Sequence, residues 1–152
     1  MDIVGSLVGL VLLAPLFVLA AVAIRLVDGK PVFFSQLRMG LDGKPFTFHK
    51  FRTMVVDAEK MKDDLLHLNE MSGPVFKSMR DPRRTRLGRL LRRFSVDELP
   101  QLWNVLTGDM SLVGPRPLPH DEAAACTDEQ KRRVTVKPGL VCLWQVRGRS
   151  HI

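Results

Sequence analysis

From Ile3 to Ile24 the chain carries no charged residue, and no lysine or arginine precedes Arg25. As a helix rising about 1.5 Å per residue, this run is long enough to cross a hydrocarbon core of about 30 Å. Asp2 stands before it where a signal peptide would have a basic flank, and Arg25 and Lys30 follow it. That polarity argues against a signal peptide and puts the remainder of the chain in the cytoplasm by the positive-inside rule. Pro15 lies near the middle of the run. It has no backbone N–H and crowds the carbonyl of Val11, so a kink is expected at Ala14–Pro15. A single kinked span and a re-entrant helix that turns back both fit this pattern. The chain thus divides into a membrane-embedded helix, 1–27, and a cytoplasmic part, 28–152.

The cytoplasmic part is basic. Over the whole chain 23 Lys and Arg stand against 16 Asp and Glu, and the net charge of +7 predicts an anionic partner: a lipid surface, a phosphorylated substrate or nucleic acid. Cys126 and Cys142 are too few for a disulfide framework and lack C-x-x-C spacing, which disfavours a zinc site and makes a reducing compartment the default.

Residues 31–40 and 44–53 flank Leu41-Asp42-Gly43, and Asp-Gly between apolar-rich runs signals a β-hairpin. Alternation puts Phe46, Phe48, Lys50 and Arg52 on one strand face. Met54, Ala58, Met61, Leu65 and Leu68 recur at helical spacing, predicting an amphipathic helix that the Met71-Ser-Gly-Pro74 sequence ends. Between Arg80 and Arg93 seven arginines oppose one acid, Asp81. Interleaved Leu87, Leu90, Leu91 and Phe94 give that stretch one greasy helical face, suited to a membrane interface. A solvated face on an ordinary core helix fits equally, and the greasy face speaks against nucleic acid. Arginine favours bidentate phosphate contacts.

Ser95-Val96-Asp97-Glu98 before Leu99, Leu102, Trp103 and Leu106 reads as a capping box opening a helix that Gly108 closes, although Pro100 leaves its first turn ambiguous. Acids in a first turn complement the helix dipole without any further role. Two adjacent carboxylates also suit chemistry: one can attack phosphorus while its neighbour holds a divalent metal. Proline and glycine at 114–117, 137–139 and 148 predict rigid turns, with positive φ at Gly139.

Taken together, LxxxAPLF, PVFFSQLRMG, FHKFRTM, the long run from FKSMRDPRR through SVDELPQLWNVLTGDMSLVGPRPL, and VKPGLVCLWQVRGRS resemble the bacterial sugar transferases. These are monotopic phosphoglycosyl transferases that begin exopolysaccharide, O-antigen and glycan assembly. The resemblance extends from Asp2 to Ile152. It implies transfer of a sugar phosphate from a nucleotide diphosphate sugar, usually a UDP-sugar, to polyprenyl phosphate at the cytoplasmic face of the bacterial inner membrane, and no nucleic-acid partner. It implies Asp97 as nucleophile forming an aspartyl phosphosugar, Glu98 as ligand to Mg²⁺, and Lys50, Arg92, Arg116 and Arg149 around phosphates or nucleotide. It also implies re-entry at Pro15 in place of a span. The expected fold is α+β: a mostly helical membrane-associated domain with a Pro-broken membrane helix, a short β-hairpin and interfacial amphipathic helices. Family chains carry Ser where this one has Ala14, and Thr-Gly where it has Val141-Cys142. They also continue past the GRS motif, through a region with another acidic site residue. Chain 1–152 is therefore expected to lack the C-terminal part of the family domain, which leaves an incompetent anion-binding fragment as the alternative to an active enzyme.

Overall fold

A computed structural model of the chain describes residues 1–61, 63–69, 78, 81–124 and 132–142. The expected turns at 71–74 and 148–149, with Arg80, Cys126 and Arg149, lie outside the described residues.

Helix α1 runs from Asp2 to Val27 as one element with Pro15 inside it. Helical structure continues through Ala14–Pro15, so the chain is not broken there. Proline removes only its own donor, and in an apolar setting the other backbone groups of the run can pair only within the helix. One stripe of α1 lies along the rest of the protein from end to end. Asp2 Oδ1 accepts from the Leu112 N–H at 3.3 Å, Gly5 and Gly9 lie against the Leu112 and Leu102 side chains, and Phe17 packs on Phe51 with ring centroids 4.8 Å apart. Ala20 and Ile24 enter a core cluster with Phe51 and Leu91. The opposite stripe is bare, with Leu12, Leu19 and Leu26 at 72%, 66% and 79% exposure. The residues after α1 are clamped: the Arg52 guanidinium donates to the carbonyls of Asp28, Gly29 and Lys30.

Strands β1 (Phe33–Met39) and β2 (Pro45–Phe51) form the antiparallel hairpin, in a register that pairs Phe34 with Lys50 and Arg38 with Phe46. Asp42 and Gly43 supply the left-handed turn, at φ of 54° and 73°. Beyond it, the amphipathic α-helix expected over 54–68 does not form. Met54 bridges Arg84 in extended geometry, the Val55 N–H donates to the Arg83 carbonyl, and Asp57 has φ of 65°. Only a 3₁₀ piece, Asp63–Leu68, follows. Pairing with the 81–84 segment overrides the local periodicity.

Helix α2 (Arg86–Arg93) is capped by Thr85, whose hydroxyl oxygen accepts from the Gly88 N–H while its O–H donates to the Asp28 carboxylate. Leu91 is buried in the cluster with Leu87 packed against it; Leu90 and Phe94 remain exposed among Arg86, Arg89 and Arg93. Gly88 is required by proximity, since a Cβ there would lie 2.1 Å from the Thr53 carbonyl oxygen. A 3₁₀ turn, Val96–Glu98, then leads into α3 (Gln101–Leu106). Asn104 of α3 donates to the Thr47 carbonyl and accepts from the His49 N–H, tying α3 to β2.

Strand β3 (Ser111–Val113) pairs in parallel with β4 (Gly139–Val141), and the short helix α4 (His120–Ala124) lies between them in sequence. Gly139 does not take the positive φ expected of it. Its role is steric: a Cβ would fall 1.9 Å from the Gly114 nitrogen. A second core cluster, Phe48, Val105 and Met110, joins hairpin, α3 and the loop before β3. The described residues thus form an α+β fold with one long apolar helix.

Candidate active site

Phe94 ends α2, and Ser95 turns the chain through φ of 58°. The capping box expected there is absent, because Ser95 in this left-handed geometry makes no side-chain cap bond. The turn is instead closed through the backbone, the Glu98 N–H donating to the Ser95 carbonyl at 3.1 Å and the Leu99 N–H to the Val96 carbonyl at 3.2 Å. Leu99 and Pro100 remain in right-handed helical geometry, so the turn flows into α3. Pro100 sits where a missing donor costs nothing. The result places two adjacent carboxylates against β2 and the end of α2.

Asp97 is buried. Burial and the neighbouring Glu98 charge raise its carboxyl above the usual range, and Arg92, Lys50 and Arg116 pull it back down. Glu98 pairs with Arg116 at 2.8 Å. Arg92, in the last turn of α2, is oriented by its Nε–H donating to Thr53 Oγ1 at 2.8 Å. Lys50 extends over the ring of its cross-strand partner Phe34 at 5.1 Å. Desolvation, with Arg92 and Arg38 nearby, lowers its ammonium to about 7. Four of the sequence-derived positions, Lys50, Arg92, Asp97 and Glu98, therefore converge with a fifth, Arg116, from four separate segments. Arg149 lies outside the described residues, and Pro15 is an exposed residue within α1.

Arg38 belongs to the site and was not among the positions expected. Its guanidinium lies 4.1 Å over the Phe48 ring, donates to the Pro117 carbonyl at 2.7 Å and is steadied by Gln36 Oε1. Desolvation, with Arg116 adding to it, lowers it to about 10. Together with the Met39 N–H donating to the Leu118 carbonyl, this contact anchors the loop carrying Arg116. The one signal in the sequence was its place in the QLRMG motif. Thr53, in the FRTM motif, is the second unforeseen member.

The arrangement is cationic around two carboxylates, as binding of several phosphate groups requires. Its oxygen-only acidic donors suit a hard cation such as Mg²⁺, which takes one or two carboxylates and fills its remaining positions with water and phosphate oxygens. Among the described residues no group of three or more His, Cys, Asp and Glu could hold a metal unaided. A shared, substrate-completed site is the kind these residues fit.

Over residues 1–152 the chain matches the bacterial sugar transferase family. It belongs to that family. It is 49% identical over its whole length to the galactosyl transferase CpsE of Streptococcus agalactiae, covering 34% of that protein. Over 99% of this chain it is 41% identical to the undecaprenyl-phosphate galactose phosphotransferase of Salmonella typhimurium, covering 32% of it. Over 97% of the chain it is 46% identical to the UDP-glucose:undecaprenyl-phosphate glucose-1-phosphate transferase of Caulobacter vibrioides, covering 52%. The chain thus spans about a third to a half of the length of these three relatives.

Proposed function

We propose that this chain carries the chemical centre of a phosphoglycosyl transferase, moving a sugar phosphate from a UDP-sugar to undecaprenyl phosphate at the cytoplasmic face of the membrane. The observation that carries this reading is the buried Asp97 facing Lys50, Arg92 and Arg116 beside Glu98. Names of relatives that pair a galactose or glucose phosphate with undecaprenyl phosphate support the substrate classes. In the first step the Asp97 carboxylate attacks the phosphorus that bears the sugar. The bond from that phosphorus to the bridging oxygen breaks, and nucleoside monophosphate leaves. In the second, an oxygen of the lipid phosphate attacks the same phosphorus, the acyl–phosphate bond breaks, and polyprenyl diphosphate sugar departs with Asp97 restored.

Lys50, Arg92 and Arg116 neutralise the phosphate oxygens through both steps, where electrostatic stabilisation does most of the work of phosphoryl transfer. Glu98 would hold Mg²⁺, which when bound supplies further positive charge at the diphosphate. The bare stripe of α1, with Leu90 and Phe94 rimmed by arginines, supports lodging at an anionic lipid surface. Membranes bearing the chain, given Mg²⁺, undecaprenyl phosphate and a panel of UDP-sugars, are expected to release UMP with one or more donors. Glu98→Gln should lose turnover while remaining folded. UMP release by that variant at the wild-type rate and with the same Mg²⁺ requirement would assign the metal elsewhere.

A further inference from the structure

Helix α2 has two distinct faces. Arg86, Arg89, Leu90, Arg93 and Phe94, its C-cap, are exposed, while Leu87, Gly88, Leu91 and Arg92 are buried or half-buried. The outer set recurs at i, i+3, i+4, i+7 and i+8, one continuous stripe. It mixes cations with two large apolar side chains, Leu90 at 52% and Phe94 at 66% exposure, and Arg93 lies 5.8 Å over the Phe94 ring. Among the described residues no carboxylate pairs with Arg86, Arg89 or Arg93. The helix also works against itself. Arg86 and Arg89, Arg89 and Arg92, and Arg89 and Arg93 stand three or four residues apart, and like charges at that spacing destabilise a helix. Arg86 occupies the first turn, where the dipole disfavours a cation and no acid is present. Eight residues give a helix little strength of its own. The last turn bears most on the chemistry: Leu90, Arg93 and Phe94 outside share it with Arg92 inside, whose Nε–H donates to Thr53. The Phe94 N–H closes that turn on the Leu90 carbonyl at 3.3 Å, and Asp97 follows in the next turn.

We infer that acidic phospholipid is an activating partner of this chain: its headgroup phosphates bind the outer stripe of α2, offset the repulsion along the helix and so hold Arg92 at the site. Charge complementarity selects the anionic headgroup, and arginine suits its phosphate oxygens. Leu90 and Phe94 enter the apolar layer in continuity with the bare stripe of α1, because Thr85 at the start of α2 is bonded to Asp28 at the end of α1. Activation rests on the phosphosugar-transfer reading, whereas lipid binding by α2 stands apart from it.

The test places the whole chain in nanodiscs of phosphatidylcholine, with and without phosphatidylglycerol, and reads amide hydrogen exchange over 86–94. Protection in the wild-type chain is expected to rise about 10- to 100-fold with phosphatidylglycerol, the range for a few arginines near a charged surface. Replacing Arg86, Arg89 and Arg93 together by glutamine removes the repulsion as well as the binding. Protection in that variant should equal or exceed wild type in phosphatidylcholine and not respond to phosphatidylglycerol. UMP release, given Mg²⁺, undecaprenyl phosphate and the productive UDP-sugar, should follow the same pattern. A diffuse surface potential alone would do the reverse, since an anionic bilayer repels an anionic donor. Wild-type protection that ignores phosphatidylglycerol overturns the inference, and so does a variant that responds as wild type does. Equal UMP release in both lipids by an active wild-type chain overturns it as well. Lipid-dependent protection without UMP release from any donor would defeat the transferase reading and leave the lipid partner standing.

Discussion

At Asp97 burial and local charge act in opposite directions, and the balance sets when the carboxylate can react. Desolvation and Glu98 favour the protonated acid; the surrounding cations favour the nucleophile. A carboxyl whose folded value lies above its unfolded one supports the fold only while protonated, so its contribution is lost as pH rises through that value. Asp97→Asn is therefore expected to abolish turnover, by about 10³-fold or more, and to equal or exceed wild-type stability at neutral pH by thermal unfolding. A marked loss of stability would mean that the ionised carboxylate serves the fold. Lys50 presents the opposite case. With its ammonium lowered to about 7 from an ordinary 10.5, the site sheds one positive charge as pH rises through neutrality. In the kcat/KM profile, which reports the free enzyme, this predicts a decline above about pH 7 that Lys50→Arg removes. Between the two values the unfolded chain holds the extra proton, so the Lys50 contribution makes stability rise with pH there. An unchanged alkaline limb in Lys50→Arg would assign it to another group.

Among the elements, α2 is the one that links anchor and chemistry. Thr85 caps it and reaches Asp28 at the end of α1, Gly88 lets it touch the Thr53 backbone, and Thr53 in turn orients Arg92. Gly88→Ala would drive a methyl into the Thr53 carbonyl. A loss of about 1–3 kcal/mol is expected from this overpacking, measured by denaturant unfolding, together with a fall in UMP release as Arg92 is displaced. Full activity and stability in the variant would show that the approach is looser than 2.1 Å. This helix and the hairpin were legible in the sequence because their signals are local: Leu and Arg at helical spacing, and Asp-Gly between alternating runs. The segment 54–68 was not, since its apolar spacing gives way to pairing with residues 81–84. Nor was the turn at Ser95, whose left-handed φ serves a chain reversal that only packing imposes. At the site, motif residues could be named one by one. Arg38 could not, because its partner Pro117 lies 79 residues away and its role exists only once β1 and the Arg116 loop meet.

For the molecule as a whole, both ends of α1 touch the same body, Asp2 at β3 and Ile24 in the cluster with Leu91. A helix that carried its N-terminus across a bilayer would give up the first of these contacts. With Cys126 and Cys142 replaced by alanine, single cysteines at Ile3 and Lys30, both exposed, are therefore expected to resist an impermeant thiol reagent in intact cells and to react after permeabilisation. Labelling at position 3 from outside would establish a span. Passage of the phosphosugar through Asp97 becomes observable when the lipid acceptor is withheld. The chain is incubated with Mg²⁺ and the UDP-sugar that supports turnover, then digested and read by peptide mass spectrometry. One phosphosugar mass is expected on the peptide containing Asp97, removed by hydroxylamine and absent from Asp97→Asn. A phosphosugar on any other residue of the active chain, or turnover by Asp97→Asn, would rule out Asp97 as the nucleophile.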